Sequence, residues 1–144
     1  MPQPDTVRLL RECDQGIRMG IDSLDEAMDH AKNAKMRQLF LTCRKNHEDL
    51  RERTHQALSA VHQEGKSPNL MAKSMSWLKT NVMLSVKDND ATVADLVSEG
   101  CDMGVRSLSR YLNQYPAADD NAKSIARQLI DSESSLSASL REFL

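Results

Sequence analysis

The chain has 144 residues, of which 28% are charged, but its net charge is only -2, so it carries neither the basic field of a nucleic-acid binder nor a solvating acidic tail. Aromatic residues make up just 3%, and the composition suits a single all-α domain over residues 1–144, long enough to bury a core without staples. No uncharged apolar run approaches the ~20 residues of a membrane span, and the stretch from Met1 to Asp5 has no leader pattern, so a cytoplasmic protein with no membrane contact is expected.

From Asp5, read as an N-cap, apolar residues at Val7, Leu10, Ile17, Ile21, Leu24 and Met28 keep a 3/4 spacing with one gap at position 14, which predicts a helix over about 5–31. A second helix, about 33–64, carries Met36, Phe40, Cys43, Leu50, Leu58 and Val61 on one stripe, with His47 on the same face and Gly65 as C-cap. Ser67 and Pro68 then suit the start of a crossover helix over about 69–87. The stretch from Asp88 to Asp90 caps a helix over about 90–113, with Val97, Cys101, Val105, Leu108 and Leu112 in register, and Tyr115-Pro116 ends it. The last helix, about 119–143, places Ile125, Leu129, Leu136, Leu140 and Phe143 on its stripe.

The sequence CDQGIR at 13–18 returns as CDMGVR at 101–106, and the second and last helices share RQL (37–39 and 127–129) and LRE (50–52 and 140–142). Two related helical hairpins are therefore expected. The segment joining them, as a helix of about 18 residues, spans ~27 Å and can cross a whole bundle, making the second and third bundle helices parallel. With this repeat and the crossover bearing Met75 to Lys79, the chain resembles the small ferritin-like four-helix bundle proteins of bacteria, a family with no assigned function. The resemblance implies a fold and not an activity.

One polar residue interrupts the apolar stripe of each bundle helix: Asp14, His47, Asp102 (by its repeat equivalence to Asp14) and Glu133. Antiparallel pairing should bring His47 within a turn of Asp14, and Glu133 near Asp102. Imidazole with carboxylates suits a single Fe, Mn or Zn ion, while the alternative is a buried polar network that fixes helix register. The di-metal pattern that the resemblance implies, a Glu on two helices and Glu-x-x-His on the other two, is not met. The last helix has no His, and in the lone Glu52-x-x-His55 the glutamate lies opposite the Leu50 core face and reads as solvent-exposed. The metal site is thus expected to be degenerate, no cofactor is called for, and no catalytic residue is assigned.

Three widely spaced cysteines, Cys13, Cys43 and Cys101, with no CxxC pair, read as reduced thiols packed as small hydrophobes; a thiol-based redox role is the third reading. Gly16 and Gly104, equivalent in the repeat, read as points of close helix approach, with cofactor access second. In the crossover, Trp77 and Leu84 lie off the face of Leu78 and Val82, which favours an interface in a homodimer or with a protein partner. The function expected from all this is a non-enzymatic bundle acting through protein contacts, the alternative being a mononuclear metal-binding bundle.

Overall fold

The computed structural model describes residues 3–61 and 89–144, and every regular element in them is helical. Four α-helices follow in order: α1 Pro4–His30, α2 Ala34–Ala60, α3 Asp90–Gln114 and α4 Asp120–Leu140, with a 3₁₀ turn Arg141–Phe143 closing the chain. The expected crossover helix at 69–87, the Gly65 cap and the interface residues Trp77 and Leu84 lie outside the described residues. Among the described residues no helix is long and apolar enough to cross a membrane.

Side chains that mimic the missing backbone acceptor start three helices. Asn33 accepts from the Met36 amide, Asn89 from Thr92 and Asp119 from Ala122. Asp5 does not cap α1 as its type suggested. Gln3 stands at that position, Pro4 opens the helix, and Asp5 sits in the first turn, where its carboxylate accepts from the Ala117 amide at 3.0 Å. At the other end of α1 the Arg37 guanidinium donates to the Met28 and Ala31 carbonyls, satisfying acceptors that the helix leaves open.

Two tertiary staples fix the topology. The Asp90 carboxylate accepts from the amides of Lys32 and Asn33 at 2.7 and 3.0 Å, tying the start of α3 to the α1–α2 turn. Thr6 accepts from the Asp119 amide at 2.8 Å, tying the start of α1 to the α3–α4 turn. It follows that α2 and α3 run parallel, and that α2 ends and α3 begins at opposite ends of the bundle. Each helix packs antiparallel on two neighbours: α1 on α2 and α3, and α4 on α2 and α3.

The core divides into two clusters. Leu9, Leu10, Ile17, Leu50, Ile125 and Leu129 fill one half, and Leu24, Met36, Phe40, Val93, Leu136 and Leu140 the other. Burial of each such side chain contributes roughly 1.5–3 kcal/mol, enough to hold the helices at these faces. Between the clusters, on α2 and α4, stand two buried polar residues, His47 and Glu133.

Candidate functional site

The four polar residues expected at the bundle centre do not form one cluster: His47 and Glu133 meet each other, Asp14 pairs with His55, and Asp102 is exposed. Asp14 is fully buried, and its Oδ1 accepts from His55 Nε2 at 2.9 Å, while Arg18 Nε lies 3.3 Å from its Oδ2. Thus Asp14 pairs two turns further along α2 than expected. His55 is half-buried in this ion pair, while Glu52, read from sequence as solvent-exposed, is exposed.

Asp102 is exposed and accepts from the Ser137 hydroxyl at 3.0 Å, which corrects its expected place in the core. The reason lies in how the two helices are turned. On α1 the buried arc takes in both Cys13 and Asp14, whereas on α3 it runs through Val93, Ala94, Val97, Ser98 and Cys101 and leaves Asp102 on the outer side. Sequence equivalence in the repeat does not carry over to environment. Among the described residues no group of three or more His, Cys, Asp or Glu side chains is placed to hold a metal ion.

His47 and Glu133 form the remaining pair, 3.7 Å apart from Nε2 to Oε1, an ion-pair distance but too long for a hydrogen bond. The Nδ1–H of His47 donates to the Cys43 carbonyl at 2.9 Å, one turn back on α2, and the Cys43 thiol lies 3.7 Å from the same nitrogen. Nε2 of His47 and Oε2 of Glu133 have no hydrogen-bond partner among the described residues, although their residues are only 1% and 8% exposed.

Burial alone would push His47 down, but the Cys43 thiol and the Glu133 carboxylate outweigh it and hold the imidazole up to about 10. Burial pushes Glu133 up, against the opposing pull of His47. The pair therefore holds its proton through neutral pH. Burial also raises the thiols, Cys13 to about 12 and Cys101 further, with carboxylates beside each adding to the effect. A neutral, buried thiol is a poor nucleophile, which counts against the redox reading.

His47 and Glu133 back a cavity of about 320 Å³ between α1 and α3, with Nε2 packed against Gly20 and Oε2 against Gly104. Its floor is His47 and Glu133, its apolar lining includes Met19, Leu24, Val97, Leu108 and Leu136, and the half-exposed Met103 stands at its mouth. At one end Tyr111 hydrogen-bonds Glu12. Four glycines line it, an i,i+4 pair on each wall: Gly16 and Gly20 on α1, Gly100 and Gly104 on α3.

Two of those glycines are required by the polar pair. A Cβ on Gly20 would stand 2.6 Å from His47 Nε2, and one on Gly104 would come within 2.9 Å of the Glu133 carboxyl carbon. The other two have no such reason. A Cβ on Gly16 would make ordinary contact with Leu129 at 3.8 Å, and one on Gly100 would meet nothing within 4 Å. Each mid-helix glycine costs about 1 kcal/mol relative to alanine. Sequence reasoning singled out Gly16 and Gly104 but missed Gly20 and Gly100. The signal was there in the i,i+4 spacing, which puts each pair on one helix face.

A second, more open groove of about 580 Å³ runs along the α2–α4 seam, floored by Leu39, Leu50 and Leu136 and edged by Ser132, Ser135 and Ser139. No protein-family model, curated protein or solved structure matches the chain.

Proposed function

We propose that the chain is a non-enzymatic, ferritin-like bundle with a degenerate metal centre, and that it works by binding a small molecule in the cavity between α1 and α3. The observation that carries this reading is the largely apolar cavity itself, built into the bundle between α1 and α3 and backed by the buried His47 and Glu133. The cavity volume falls at the lower end of small-molecule pockets, roughly 300–1,000 Å³. Support for the ferritin-like reading comes from the parallel course of α2 and α3 and from their ends at opposite poles of the bundle.

Against a metal centre stands the ligand count. His47 and Glu133 are two ligands, Asp14 is engaged by His55 and Arg18, and Asp102 is on the surface. Contact with a protein partner or a second copy, expected from Trp77 and Leu84, belongs to the same proposal on the sequence alone.

Thermal unfolding separates these readings, because a ligand that binds only the folded state must raise its midpoint. Naphthalene, an apolar probe small enough for the cavity, should raise the midpoint of the natural protein. Fe, Mn and Zn salts should not raise it. A metal-dependent rise that disappears in His47→Ala would overturn the proposal in favour of a mononuclear metal site.

A further inference from the structure

The cavity between α1 and α3 is long rather than round. Its lining runs from Glu12 to Leu24 on α1 and from Leu96 to Tyr111 on α3. At 1.5 Å per residue these stretches cover about 18 and 22 Å, roughly twice the width that a compact space of about 320 Å³ would have. The length has a cause in the packing: α1 and α3 touch each other less than either touches its other neighbour, so the seam between them stays open over several turns. Met19 and Met103 line its middle, and Met103 is 58% exposed, a large apolar side chain left in water.

The two ends differ in chemistry. At one, Glu12, Gln15, Ser107 and Tyr111 line the cavity, and Tyr111 hydrogen-bonds Glu12. At the other, Leu24, Leu96 and Val97 outnumber Ser23, and Leu24 and Val97 belong to one core cluster. A narrow, mostly apolar space with one polar end suits a molecule built the same way, a run of methylenes behind a hydrogen-bonding head. The flexible thioethers of Met19 and Met103 can adjust to such a chain. The lining also selects the head. Its charged residues are Glu12, Glu133 and His47, and His47 stands against Glu133. The polar end therefore keeps a carboxylate, and among the described residues no Lys or Arg lines the cavity to receive an anion.

Resting on the small-molecule reading above, we propose that the cavity binds a single-chain aliphatic alcohol, its hydroxyl at the end formed by Glu12, Ser107 and Tyr111 and its chain running past Met19 and Met103 toward Leu24 and Val97. The elongated lining accounts for the chain, and the uneven ends account for its direction.

The test titrates 1-hexanol, 1-octanol, 1-decanol and decanoate into the full chain, followed by calorimetry and by NMR of carbon-13-labelled methionine methyl groups. Dissociation constants of the alcohols should fall about fourfold for each added methylene. Decanoate should bind at least about tenfold more weakly than 1-decanol, because its charge finds no partner in the lining. The methyl signals of Met19 and Met103, assigned through Met19→Leu and Met103→Leu, should move on binding, while that of Met36, fully buried in the core outside the cavity, should stay. Naphthalene that raises the midpoint while alcohol affinity is indifferent to chain length would overturn the aliphatic assignment and leave the small-molecule reading standing. Decanoate bound as tightly as 1-decanol would overturn the choice of head, and a Met36 signal that moves as far as those of Met19 and Met103 would overturn the site. Failure of the alcohols and of naphthalene alike to bind would overturn both readings.

Discussion

Two glycines on one face of α3, one turn apart, should respond in opposite ways to the same substitution. At Gly100 an added Cβ meets nothing within 4 Å, so Gly100→Ala should realise the full helix-propensity gain of about 1 kcal/mol. For a chain of this size that raises the thermal midpoint by roughly 3–5 °C. At Gly104 the Cβ would come within 2.9 Å of both the carboxyl carbon and Oε1 of Glu133, and the carboxylate must swing away. Glu133 is buried, and its displacement leaves the His47 imidazolium without its counter-charge, a loss of about 3–5 kcal/mol for a broken buried pair. Set against the propensity gain, Gly104→Ala should therefore destabilise by about 2–4 kcal/mol. Urea denaturation of both variants, with the slope held common, measures the difference. A Gly104→Ala protein as stable as Gly100→Ala would refute the reasoning, because it would mean that Glu133 is not held against α3 by the His47 pair.

The same pair sets a pH dependence. His47 is raised in the fold from 6.5 to about 10, so its contribution is complete below pH 6.5 and is lost as pH rises through about 10; Glu133, raised by burial from 4.5, acts in the same direction from that pH upward. Stability should accordingly fall by a few kcal/mol between pH 6.5 and 10, and His47→Gln should flatten that part of the curve, as denaturation at a series of pH values will show. The three cysteines are buried, and Cys13 is pushed up to about 12, so Ellman's reagent at pH 8 should find all three thiols silent in the native protein and all three reactive in urea. A thiol titrated at once without denaturant would revive the redox reading.

Much of the fold is written in single-residue periodicities. Ile17, Ile21 and Leu24, or Ile125, Leu129 and Leu136, recur at helical spacing and are buried where they were expected. Such positions depend only on the 3.6-residue period and on the cost of wetting an apolar side chain, both of which are local. The caps Asn33, Asn89 and Asp119 are legible for the same reason: each answers an amide three residues on in its own chain. His47 and Glu133 could likewise be marked as polar interruptions of an apolar stripe, one helix at a time.

The tertiary structure alone decided which of these interruptions meet. The α1–α2 register gives Asp14 to His55 and leaves His47 facing Gly20, and the way α3 is turned puts Asp102 in water while its repeat counterpart Asp14 is fully buried. Register and rotation are properties of the packed interface between helices, set by the sum of many contacts and by staples such as Asp90 to the Lys32 and Asn33 amides. A helix by itself determines which of its residues share a face. What that face confronts, and whether His47 meets Glu133 against two glycines, is determined only when the other three helices are in place.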